Sequence, residues 1–333
     1  VSTLPPHPTG YTIQRLLGQG NSARVYLALD EKSRKVALKL PFPETLADPA
    51  RAERFANEVR LSLQLRHERV VVGYEGVGFG PKSFLSMRYF PESTLARWLE
   101  LGRLSTPEAM QIIRDVARAL VFLHGQGVVH QDVKSQNVYL ESGRAALGDF
   151  GAAYFTAQGG KTAGSPFYMA PEIYRHEGSS FASDVYSLGV LAYEALANER
   201  PYVGRTYDEL MAAHLSRFPR PLANLAPEAP RPVTQVVERA LGKNATDRPS
   251  ALEFARVFEL ALGITESQVT ITPETAPAAP GRNLGRHGSA TPHAAPPPDP
   301  RSADTAAKLA EPKRDEKSGK GSFWNPFKKR SSR

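Results

Sequence analysis

Between residues 128 and 137 the chain reads Val128-Val129-His130-Gln131-Asp132-Val133-Lys134-Ser135-Gln136-Asn137, which sets an acid, a cation and an amide at offsets of two and five. A carboxylate at Asp132 can take the proton of an attacking hydroxyl. Lys134 can stand against a phosphoryl group that is gaining charge. Asn137 can hold a metal ion through its side-chain oxygen. Those three jobs together are phosphoryl transfer. Twelve residues past Asn137, a second acid adjoins a flexible glycine in Asp149-Phe150-Gly151.

Such groups work only if other elements bring a nucleotide to them. Residues 11–17, 24–30 and 34–40 are rich in β-branched, aromatic and leucine residues and predict strands. Between the first two lies Leu17-Gly18-Gln19-Gly20-Asn21-Ser22-Ala23-Arg24-Val25. Two glycines alone mark only a tight turn. In a hairpin they also let backbone amides approach phosphates. A dinucleotide-binding turn needs a helix after the glycines; a strand follows here. Lys39 shares a strand face with Ala37, toward the predicted cleft. Residues 49–66 predict a helix with Phe55, Val59 and Leu63 on its apolar stripe. Two more strands fall at 70–77 and 82–89.

These motifs, in this order, resemble the Hanks-type serine/threonine protein kinases found in bacteria. The loop at 130–137 is similar to H-R-D-L-x-x-x-N, departing at Gln131 and mildly at Val133. Asp149-Phe150-Gly151 resembles the metal-binding D-F-G, and Val36-Ala37-Leu38-Lys39 the V-A-I-K strand. Gly164 to Glu172 ends in Ala170-Pro171-Glu172, like the close of an activation segment, which small-molecule phosphotransferases of related fold generally lack. The resemblance covers residues 11–262. It implies an α+β, bilobal fold: a small β-rich lobe with one helix (11–89) and a larger, mainly helical lobe (90–262).

The resemblance also implies roles. ATP, with Mg2+ or Mn2+, would be the cofactor set. Asp132 and Lys134 would be catalytic, and Asn137 and Asp149 would hold metal. Lys39 would contact the α- and β-phosphates, paired with Glu58 nineteen residues on; Glu53 competes for that place. Residues 17–25, Ala37, Met87 as gatekeeper, Tyr89 in the linker and Tyr139 beneath the adenine would line the nucleotide site. Ala23 replaces the third family glycine. Ser62 stands where the family has a large apolar side chain against Phe150, which predicts a looser helix. Ser165 takes the place of a threonine that bridges the acid and the lysine. Glu172 would pair with Arg248 as a brace, and Asp184 would anchor the catalytic-loop backbone. His130 is expected to pack and brace that loop. Lys134, two after Asp132, favours serine/threonine over tyrosine specificity. Thr156 and Thr162 are candidates for autophosphorylation. Gln131 replaces the arginine that receives an activation-segment phosphate and cannot form that ion pair.

In the large lobe, Ser105-Thr106-Pro107-Glu108 is a strong helix start. Ile112, Ile113, Val116, Ala117, Leu120 and Leu123 then recur at helical spacing. Further helices are predicted near 93–100, from 183, and at 207–216, 232–241 and 250–262.

Of 333 residues, 41% are apolar and 23% charged, which suits a globular chain. Cysteine is absent, which excludes disulfides and thiolate catalysis. No apolar run is long enough for a membrane-spanning helix and the first ten residues read as an irregular lead-in without a secretory signal. The expectation is a cytoplasmic protein. Six of the eight net positive charges lie in residues 313–333, so the pI reports the tail and not the substrate. Residues 263–333 are proline- and alanine-rich and predict a disordered tail. It closes on Ser322-Phe323-Trp324-Asn325-Pro326-Phe327-Lys328-Lys329-Arg330. Aromatics beside a basic cluster suit an anionic membrane surface, and hence peripheral attachment, or a docking contact with a partner protein. A solubilising tail is the plain alternative, and nucleic acid is not an expected partner. The alternative to an active kinase acting on protein Ser/Thr is a nucleotide-binding scaffold.

Overall fold

A computed structural model describes residues 8–102, 104–158 and 164–264. Expectations that fall elsewhere, Thr162 and the tail among them, lie outside the described residues. The first three strands form where alternation predicts them: β1 (Thr12–Gln19), β2 (Ala23–Leu29) and β3 (Lys35–Pro41). Then come α1 (Pro43–Ala47), α2 (Pro49–Gln64), β4 (Gly73–Val77) and β5 (Phe84–Arg88). The strands make one antiparallel sheet in the order β1-β2-β3-β5-β4.

The small lobe thus carries two helices where the sequence predicts one. Asp48 divides them. Its extended backbone ends α1, and its side chain accepts the Arg51 amide to cap α2, with Pro49 in the first turn. The strand predicted from residue 70 begins only at Gly73. Val70 instead bridges to Leu147 of the large lobe, and the Val71 amide donates to the Leu147 carbonyl at 2.9 Å.

The large lobe holds α3 (Leu95–Glu100), α4 (Thr106–Gly125), β6 (Val128–Val129), β7 (Val138–Glu141), β8 (Arg144–Leu147), β9 (Tyr154–Phe155), α5 (Pro171–Tyr174), α6 (Phe181–Ala197), α7 (Tyr207–Ser216), α8 (Arg231–Ala240) and α9 (Ala251–Ala261). The capping box at Ser105 and Glu108 starts α4. Its predicted stripe is buried throughout and joins one apolar core with α6 and with Phe254 and Phe258 of α9. Removing one such side chain, as in Leu120→Ala, should cost about 2–5 kcal/mol. The hairpin β7–β8 and the pair β6–β9 carry the site between them.

Candidate active site

Above the crevice, β3 and α2 meet through Lys39 and Glu58. The Lys39 Nζ donates to Glu58 Oε1 at 2.5 Å and Oε2 at 2.6 Å. Glu53, the competing acid, is exposed. Burial alone would lower the Lys39 pKa, but Glu58 and Asp149 outweigh it and hold the ammonium charged. What lets α2 come this close is a row of glycines. A Cβ on Gly73 would stand 3.0 Å from Ser62 Cβ, one on Gly76 2.8 Å from Val59 Cγ1, and one on Gly78 2.9 Å from Ala56 Cα. Ser62 is therefore not a loose position. It is buried against Gly73, while Leu61 of the same helix and Leu65 just past its end share the core of Phe150.

The neighbour of Glu58, Asn57, gave no sequence signal. Its Nδ2 donates to the carbonyls of Phe150 (3.2 Å) and Ala153 (2.7 Å). α2 thus grips Lys39 with one residue and the segment after Asp149 with the residue before it. Thr45 of α1 is a second unforeseen contributor. Its hydroxyl donates to the Ser22 carbonyl at 2.7 Å, and the Phe42 amide donates to the same oxygen at 2.9 Å. The tip of the glycine hairpin is tied down there.

In that hairpin, neither Gly18 nor Gly20 lies in the left-handed region. A Cβ on Gly18 would meet no atom within 4 Å. The fold itself does not ask for these glycines, whereas a phosphate against the backbone would. Gln19 and Arg24 bond to each other at 2.8 Å on the exposed hairpin, and Arg24 stacks over Phe42. These two side chains are engaged with each other and with Phe42. Below and behind, Ala37, Met87, Val71 and Ala146 form one apolar cluster, with Leu17, Val25, Tyr89 and Tyr139 packed on it. The sequence-predicted lining is thereby brought together, with Ala37 paired to Met87 across β3 and β5.

The floor is the loop between β6 and β7. Ser165 Oγ donates to Asp132 Oδ1 at 2.7 Å; Lys134 Nζ donates to Asp132 Oδ2 at 2.6 Å and to Ser165 Oγ at 3.0 Å. Asn137 Nδ2 donates to the Asp132 carbonyl at 2.8 Å and to Oδ2 at 3.1 Å. With its nitrogen so committed, the amide turns its oxygen elsewhere. The loop is fixed from beneath by Asp184, whose two oxygens accept the amides of His130 and Gln131, both at 2.8 Å. His124 Nε2 also lies 3.0 Å from that carboxylate. The anchor holds Gln131 at φ 66°, a left-handed conformation that costs a residue with a Cβ about 1 kcal/mol or more. His130 is buried, and burial lowers its pKa, so it is neutral. Its Nδ1 accepts the Asp132 amide at 3.2 Å, which leaves Nε2 to donate to the Gly148 carbonyl at 3.1 Å. Its ring meets Phe150 edge-on at 5.4 Å. It braces the loop and is no proton donor to a substrate.

Asp149 also sits at φ 66°. Burial would raise its pKa, but Lys39 and Lys134 prevail and hold it lowered and ionised. Gly151 follows, its amide 3.5 Å from Asp149 Oδ1. The Gly148 amide donates to the Asn137 carbonyl at 2.9 Å, which puts the two loops side by side. An ionised carboxylate and an amide oxygen from adjacent loops are hard donors of the kind that hold Mg2+, so Asp149 and Asn137 fit that ion.

Farther out, Glu172 accepts two bonds of 2.7 Å from Arg248 and one of 2.8 Å from Ser183. Thr156 is exposed, and its amide donates to Gly127.

A crevice with a charged clamp above and an acid–lysine–serine triangle below is the make-up of the two-lobed kinases. Residues 11–257 match the protein kinase domain family, and the chain belongs to it. It is similar to serine/threonine-protein kinase PknA of Mycobacterium tuberculosis, 34% identical over 251 residues that cover 72% of this chain and 58% of PknA. It is likewise similar to PknE of the same organism, 34% identical over 249 residues that cover 72% of this chain and 43% of PknE. The chain thus spans about half the length of these relatives.

Proposed function

We propose that this chain is a protein serine/threonine kinase that moves the γ-phosphoryl group of Mg-ATP to protein Ser/Thr hydroxyls. The observation that carries the reading is the closed triangle of Asp132, Lys134 and Ser165. It aims a carboxylate at an incoming hydroxyl and keeps a cation within bonding distance of it. Asp132 takes the proton of that hydroxyl. Lys134 neutralises charge that builds on the phosphoryl oxygens. Lys39, held by Glu58, fixes the phosphates, and the hairpin at 18–25 covers them with backbone. Bound Mg2+ would supply further charge neutralisation from Asn137 and Asp149. The transition state is loose, so positioning and electrostatics provide nearly all of the acceleration. The complete set speaks against a scaffold that only binds nucleotide, and Lys134 supports Ser/Thr over tyrosine substrates.

Incubation with γ-labelled ATP, Mg2+ and a generic protein substrate tests this, with Asp132→Asn as control. Label on serine or threonine that is lost in the variant is the expected result. Nucleotide binding without transfer in either protein would favour the scaffold, and label on small molecules alone a different phosphotransferase. For residues 322–330, three aromatics beside Lys328, Lys329 and Arg330 support a contact with an anionic membrane surface. Co-sedimentation with phosphatidylserine vesicles, lost on removal of residues 313–333, is the check.

A further inference from the structure

Tyr139 lies on β7 opposite Ala146, at the bottom of the crevice. One face of its ring tilts against Phe90, 5.7 Å between centroids. The edge meets Gly148. A Cβ on Gly148 would stand 3.2 Å from Tyr139 Cε2 and 2.7 Å from Val71 Cγ2. Gly148 is not in the left-handed region, so its backbone conformation does not require glycine. The lack of space does.

Cε2 is the ring carbon next to the one that bears the hydroxyl. The hydroxyl end of the ring therefore lies beside the residue that precedes Asp149, away from the linker at Tyr89 and Phe90. A phenol is a hydrogen-bond donor at neutral pH. Among the described residues its hydroxyl takes part in no hydrogen bond. The ring is only partly buried and its hydroxyl is not among the buried polar atoms without a partner, so it is open to the crevice and free to donate to a ligand there. An aliphatic side chain here would give the same floor without a donor.

We propose that the Tyr139 hydroxyl is a binding group for the phosphate end of the nucleotide, its ring packed where a side chain at Gly148 would displace it. This rests on the kinase reading above. In this chain the floor of the crevice does two jobs: the ring supports the base, and the hydroxyl adds a donor beside the residue that precedes Asp149. Gly148 and Tyr139 then form a matched pair.

The test measures affinity on the full chain, apart from turnover. Mg-ADP binding is followed by calorimetry, and adenosine by competition against labelled ADP, for the native protein, Tyr139→Phe and Tyr139→Leu. Tyr139→Phe should weaken Mg-ADP on the order of tenfold and leave adenosine within about twofold. Its Tm should not fall, because the hydroxyl holds nothing in the fold. Tyr139→Leu should weaken both ligands, since the ring is lost. Native-like Mg-ADP affinity in Tyr139→Phe overturns the proposal. So does an equal loss for adenosine, or a lowered Tm in that variant. If the native protein binds neither ligand, the kinase reading itself fails and the proposal falls with it.

Discussion

Ser165 donates a 2.7 Å hydrogen bond to the Oδ1 of Asp132 across 33 residues of chain. The same hydroxyl accepts from Lys134, so it fixes the acid and the lysine at once. A hydroxyl engaged on both sides is a structural group before it is a phosphorylation site. Ser165→Ala should lower kcat on the order of tenfold, the worth of one charge-assisted hydrogen bond, with KM for ATP little changed. Ser165→Thr keeps the hydroxyl and should retain most activity. Steady-state kinetics on both variants decides: equal loss in both would refute the bridging role.

The Lys39–Glu58 pair depends on how closely α2 sits on the sheet. Glu58→Gln leaves Lys39 buried with Asp149 still in reach. The stability loss should therefore fall below the about 3–5 kcal/mol of a fully orphaned buried charge, whereas the affinity for Mg-ATP should drop. Gly76→Val acts at a distance from the crevice. Its side chain would collide with Val59 and with the Phe84 carbonyl, 2.9 Å from the Cβ. We expect it to weaken nucleotide binding as Glu58→Gln does, while thermal unfolding stays cooperative. Native affinity in Gly76→Val would show that α2 tolerates displacement.

Much of the site was legible in the chain, and the reason is local. Asp132, Lys134 and Asn137 lie within one loop and bond to one another, so their spacing alone brings them together. The strands around Lys39 and the stripe of α4 announce themselves by period. Features that depend on distant partners left no trace. Asn57 reads as a polar helix residue until Phe150 and Ala153 are found above it. Thr45 reads as surface, yet its partner is the Ser22 carbonyl. Gly148 looks like a spacer before Asp149; its cause is a ring nine residues back. The strands β6 and β9 have two residues each, too short for any alternation. Ser62 misled because its own size says nothing of the Gly73 that faces it.

Glu172 and Arg248 tie the end of the activation segment to the start of α9. Burial would raise the Glu172 pKa, but the Arg248 bonds and charge outweigh it and hold it lowered. A carboxylate with a lowered folded pKa adds stability that is present in full above its unfolded value, about 4.3, and lost as pH falls through the folded one. Arg248→Met reverses the sign. The buried carboxylate is then unpaired and gains from protonation. Its deficit in Tm against the native protein should be large at pH 7 and should narrow as the pH is lowered through the carboxylate range. A deficit independent of pH would mean that lost packing dominates.

Gln131 stands where an arginine would receive an activation-segment phosphate. Its Nε2 and Oε1 are both buried without a hydrogen-bond partner among the described residues. The backbone, by contrast, is held by Asp184 at 2.8 Å. What the described residues hold at this position is the main chain. Two outcomes follow. Phosphatase-treated protein should retain its activity on an added substrate, since an amide cannot form an ion pair with phosphate. Gln131→Leu removes two unsatisfied polar atoms and should stabilise the fold by about 1 kcal/mol with activity preserved. Asp184→Asn, in contrast, halves the acceptors for the His130 and Gln131 amides and should destabilise the loop and lower kcat. Kinetics and thermal unfolding of the three proteins separate these cases, and a treated protein that is inactive until rephosphorylated would contradict a phosphate-independent role for Gln131.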